Sequence, residues 1–117
     1  MHPAPILEVP KWVLQTLNNV YDMERKLGVH GDPANLRRNI ERIKEAFELE
    51  KVFYDDPMGQ PFNETRTDLE ASITGTGADD LVVVEVIKPI VRVGERAFSR
   101  VVQKGIVVVQ SKSGGES

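Results

Sequence analysis

The spacing of apolar residues changes near residue 51, and that change constrains the fold more than any other feature of the chain. Before it, apolar side chains recur every three to four residues. After it, β-branched runs such as "LVVVEVI" and "GIVVV" are separated by turn residues. The reading is α+β. An antiparallel helical hairpin occupies residues 1–50, a small, mainly antiparallel β domain occupies 51–110, and 111–117 form a disordered tail. Only four Phe, two Tyr and one Trp are available, so the core must rest on Val, Ile and Leu.

The first helix opens at Pro10, where the missing N–H costs nothing. Val13, Leu17, Val20 and Leu27 form its stripe, widened by Leu14 and Tyr21, and Gly28 supplies a stop after Arg25 and Lys26. In "VHGDPANL", Asp32 caps the second helix and Pro33 opens it. Leu36, Ile40, Ile43 and Phe47 mark its apolar face, opposite Arg37, Arg38, Glu41, Arg42, Lys44, Glu45 and Glu48. Two short helices bury little alone. Val13, Leu17, Val20, Leu36, Ile40, Ile43 and Phe47 therefore need a partner. A second copy would complete a four-helix bundle, and folding back on the β part would serve as well; the sequence leaves both open.

In the β half, Val52–Tyr54 and Leu69–Thr74 read as strands, with the turn-rich "DDPMGQPFNET" between them. Leu81–Ile87 is dense enough in Val to be buried on both faces. Pro89 marks an edge or a bulge. A turn at Gly94-Glu95 would place Val93 opposite Arg96 and Val91 opposite Phe98, gathering Ile87, Val91, Val93, Phe98 and Val102 on the core face. Arg96 and Arg100 then land on the same face, so either they lie at its rim or the register slips at a bulge. Ile106–Val109 closes the sheet.

Lys88, Arg92, Arg96, Arg100 and Lys104 recur every four residues across this hairpin, opposed only by Glu95, in a chain of net charge −3. Exposed cations also defend an edge strand, so function and solvation compete as explanations. Interleaved exposed aromatics for base stacking are lacking, which argues against nucleic acid as a partner. Cysteine is absent, which removes thiol chemistry and disulfides. "GTGADD" lacks the Lys-Ser/Thr ending of a phosphate loop, and Asp55-Asp56 and Asp79-Asp80 lack the alternating ligands of a calcium loop. His2 and the inter-helix His30 read as surface residues. The expectation is no enzyme, no metal and no cofactor. "MHPAPILEVP" is not a secretory signal and no window approaches the ~18 apolar residues of a membrane span, so no membrane is expected and the location is cytoplasmic.

The order of elements resembles the GrpE family, nucleotide exchange factors of DnaK-type chaperones. "ILEVPKWVLQTLNNVYDMERKLG" and "DPANLRRNIERIKEAFELEKV" are similar to its short bundle helices. "GQPFNETRTDLEASI" is similar to the opening of its β-wing, "GADDLVVVEVIKPIVRVGERAF" to the strand and hairpin that follow, and "GIVVVQSK" to the last strand. The chain departs from the family in lacking the long N-terminal helix, in Thr67 where the family has histidine, in Lys88-Pro89-Ile90-Val91 before the hairpin, and in "RVVQKG", which looks like an insertion. The resemblance implies a dimeric co-chaperone that binds the nucleotide-binding domain of a DnaK-type chaperone and promotes ADP release. It puts Lys88, Arg92, Val93, Gly94, Arg96, Phe98 and Arg100 at the partner contact, with Arg96 foremost and with Val93 and Phe98 either anchoring or packing inward. The alternative is a GrpE-like dimeric scaffold without exchange activity.

Overall fold

The computed structural model describes residues 9–112. Two helices, α1 (Lys11–His30) and α2 (Leu36–Leu49), precede six strands: β1 (Val52–Asp55), β2 (Leu69–Thr74), β3 (Leu81–Lys88), β4 (Ile90–Glu95), β5 (Phe98–Gln103) and β6 (Gly105–Ser111). The α+β class stands. The expected tail overlaps β6 at Ser111, and the rest of it beyond Lys112 lies outside the described residues.

Helix α1 passes through Gly28 and stops at Gly31, whose φ of 88° only glycine adopts without strain. His30 is therefore the last helical residue rather than a loop residue. Asn35, not Asp32, takes the N-cap position of α2, but Asp32 still serves the helix end, its two carboxylate oxygens accepting the N–H groups of Leu36 at 2.6 Å and Arg37 at 2.8 Å. Pro33 stays outside the helix, because left-handed Asn35 intervenes.

The β half forms two three-stranded sheets. One has the order β1-β4-β5, all antiparallel; the other has the order β2-β6-β3, with β2 parallel to β6. The chain changes sheet at Pro89 and again at Gly105. These crossings lie side by side, since a Cβ on Gly105 would come 2.8 Å from Leu69 and 3.0 Å from Ile90. The RVVQ that looked like an insertion belongs to β5.

Strand β3 is not buried on both faces. It is an edge strand with bulges at Val84 and Ile87, so that only Val83 and Val86 point firmly inward, while Val84 and Ile87 are exposed. Nor does the hairpin turn at Gly94-Glu95. Glu95 pairs with Phe98, Gly94 with Ser99 and Val93 with Arg100, which leaves Arg96 and Ala97 as the two-residue turn. Gly94 has a φ of 130° and lies so close to β5 that a Cβ would sit 2.6 Å from the Phe98 carbonyl oxygen. Its glycine is thus needed inside the strand rather than at the turn.

The helices fold back on the β half. Val13, Leu17, Val20, Tyr21 and Ile40 share one buried cluster with Tyr54, Ile90, Val91, Val107 and Val109. Tyr21 and Tyr54 meet edge to face at 5.7 Å. Each hydroxyl donates across the junction, Tyr21 to Asp56 at 3.0 Å and Tyr54 to Glu24 at 2.6 Å. Lys44 closes the group, 3.0 Å from Glu24 and 5.0 Å from the centre of the Tyr54 ring. Gln103 ties β5 to Asn18 of α1 and to the Pro89 carbonyl.

The apolar stripe assigned to pairing therefore divides. Val13, Leu17, Val20 and Ile40 belong to the chain's own core, Ile43 and Phe47 are half-buried against it, and Leu36 is exposed. Between the helices, away from the sheets, Met23, Leu27, Leu36, Ile40 and Ile43 line an apolar groove of about 240 Å³.

Candidate functional site

The sheet order breaks up the basic stripe. Lys88 lies on the β2-β6-β3 sheet opposite Ile106, and Lys104 at the crossing between sheets. On the other sheet Arg92 pairs with Val101 and Arg100 with Val93, which puts the two arginines on opposite faces. Arg96 is at the turn. Regular spacing in sequence thus maps to no single surface.

Arg92 and Arg96 are joined to carboxylates of the same chain. Arg92 Nε donates to Asp55 at 2.7 Å and its Nη2 to Asp68 at 3.1 Å, while Asp68 also holds Arg66 at 2.9 Å. Arg66 lowers the Asp68 carboxyl below its usual range, burial notwithstanding. Arg96 donates through Nε and Nη2 to the two oxygens of Glu48 on α2, at 2.7 and 3.3 Å, and through Nη1 to Asp55 at 3.4 Å. Its guanidinium lies 4.2 Å from the centre of the Phe53 ring. That hydrogen bond from Arg96 holds the Glu48 carboxyl below its usual range and raises Arg96 in turn. Lys51 pairs with Glu95 across the same junction. The hairpin is thereby clamped to the end of α2.

Phe98 behaves oppositely to the core expectation. It is 88 % exposed, beside exposed Ala97, because the shifted turn places it at the mouth of the hairpin rather than over the sheet. Val91, by contrast, is fully buried as expected, and Val93 is half-buried. Phe53, Asp55, Arg92, Arg96, Ala97, Phe98 and Ser99 line an open groove of about 510 Å³ along this face. Glu48, Lys51, Phe53, Asp55 and Asp68 all act at the site and were not found from sequence. Their partners lie 24 to 48 residues away, and no local pattern signals such pairing.

Among the described residues no group of three or more His, Asp or Glu is placed to hold a metal ion, and no helix is long and apolar enough to cross a membrane. Comparison with protein-family models, with curated proteins and with solved structures finds no match to this chain.

Proposed function

We propose that the chain is a GrpE-like co-chaperone: a binding protein, not an enzyme, that engages the nucleotide-binding domain of a DnaK-type chaperone and promotes ADP release. The observation that carries the reading is the exposed Phe98 at the end of a hairpin of a β unit that is itself joined through one core to a helical hairpin. An exposed aromatic with two side-chain torsions is a low-entropy anchor for an apolar slot. Exchange follows if that anchor fits the open cleft of the chaperone better than the closed one, since only differential affinity shifts a conformational equilibrium. On this reading the compartment is the cytoplasm.

The same reading includes a homodimer. Helix α2 carries Arg37, Arg38 and Arg42 against Glu41 in its first half and Glu45 and Glu48 against Lys44 in its second, a net bias the reverse of what its dipole favours. An antiparallel second copy would set each half against its complement and cover the groove at Met23, Leu27, Leu36 and Ile43. Leu36→Asp is expected to give a monomer by sedimentation. A wild-type chain that sediments as a monomer at high micromolar concentration removes the dimer.

Release of a fluorescent ADP analogue from a DnaK-type chaperone of the same source tests the exchange reading. Acceleration by wild type that falls at least tenfold in Phe98→Ala, with unchanged folding, is the expected result. No acceleration at protein excess favours the second reading, a dimeric scaffold without exchange activity. The observation on that side is the engagement of Arg92 and Arg96 with carboxylates of their own chain.

A further inference from the structure

We propose that Glu48 is an intramolecular stand-in for a carboxylate of the partner, so that the hairpin binds an acidic partner surface by exchanging Glu48 for it at Arg96. The inference deepens the exchange-factor reading and rests on it. Arg96 presents a two-pronged donor, and Glu48 meets it as a carboxylate from another molecule would, with Nε and Nη2 on separate oxygens at 2.7 and 3.3 Å. Phe53 backs the guanidinium and Asp55 takes its remaining arm, so the fork is held in a fixed orientation whichever carboxylate occupies its outer edge.

The Glu48 contact is exchangeable. Its two side chains are 53 % and 40 % exposed, in the range where an ion pair adds little and water competes. Arg92, which shares Asp55, is more sheltered and doubly bound, and stays in place as the base of the arrangement. Phe98 is two residues from Arg96 across the turn, so an acidic group beside an apolar slot would meet both. The contact also serves the free chain. Helix α2 has no basic residue in its last turn, and Arg96 brings a cation to Glu48 there. A partner that takes Arg96 removes that support, which couples hairpin binding to the end of α2.

The experiment compares wild type, Glu48→Gln, Arg96→Ala and the double variant, titrated against the ADP-loaded DnaK-type chaperone of the same source. Glu48→Gln is expected to lower the half-saturating concentration two- to fivefold, and the double variant to match Arg96→Ala, because the gain passes through the freed guanidinium. Wild-type acceleration with Glu48→Gln equal to or weaker than wild type overturns the proposal while leaving the exchange reading intact. Absence of acceleration by every variant overturns the exchange reading and the displacement step with it. Amide hydrogen exchange of residues 95–99 needs no chaperone and separates the intramolecular part: faster exchange in Glu48→Gln supports the clamp, and identical exchange refutes it.

Discussion

Leu17→Ala tests whether helices and sheets form one cooperative unit. Leu17 is 1 % exposed and lies where α1 faces Lys44, Phe53, Tyr54 and Arg96. Truncation removes three carbon atoms from a site whose walls come from α2, β1 and the hairpin turn, so the loss should lie mid-range for Leu→Ala, about 3 kcal/mol. In a domain of this size that is a large part of the total stability and should lower the melting temperature by about 10 °C. Two probes separate the halves. Trp12, the chain's one tryptophan, reports on α1, and the amides of the buried Val107 and Val109 report on the central strand β6. Both should shift by the same free energy at every protein concentration. The reasoning is refuted if β6 protection is unchanged while Trp12 melts early, because the helical hairpin would then be a separate module leaning on the sheets.

The two tyrosines of the chain are both buried, and burial first, then the carboxylates of Asp56 and Glu24, raise their hydroxyls above the ordinary value of 10.0. A folded value above the unfolded one means stability complete below about pH 10 and lost as pH rises through the folded values. Phenolate absorbance should therefore appear only together with loss of far-ultraviolet dichroism; ionisation in a still-folded chain would contradict the junction described here. Gly94→Ala forces a Cβ to 2.6 Å from the Phe98 carbonyl oxygen at a φ of 130°, and should cost at least ~2 kcal/mol in urea unfolding and disorder the turn. An unchanged midpoint would mean that the β4–β5 register is wrong.

The helices were legible because their signals are local: Pro10 at the start of α1, Asp32 before α2, and apolar residues at helical spacing. The strand positions were legible from β-branched runs for the same reason. What was not legible depends on partners distant in the chain. Parallel pairing of β2 with β6 leaves no mark on either strand. The turn was misplaced because glycine was taken as a turn signal, whereas Gly94 is required by the closeness of the β5 backbone. The turn lies two residues further on, an even shift that keeps each side chain on its face but moves Phe98 from the middle of the sheet to the end of the hairpin, where it stands in solvent. The cations assigned to one stripe are divided because the chain changes sheet beside Pro89 and Gly105.

The charge pattern of α2 and that of the hairpin are two halves of one arrangement. Each is unfavourable alone: acidic residues crowd the C-terminal half of a helix, and cations crowd a short β-hairpin. Brought together, Glu48 of the helix meets Arg96 of the hairpin, and Lys51, just past the helix, meets Glu95. Surface pairs of this kind add little to stability, so hydrophobic burial and not charge must hold the fold. Their effect is on position. They fix where the tip of the hairpin sits relative to α2, and hence where Phe98 points. A charge arrangement that contributes orientation more than free energy can be exchanged for contacts to another molecule at small cost, which is the property a displaceable docking tip needs.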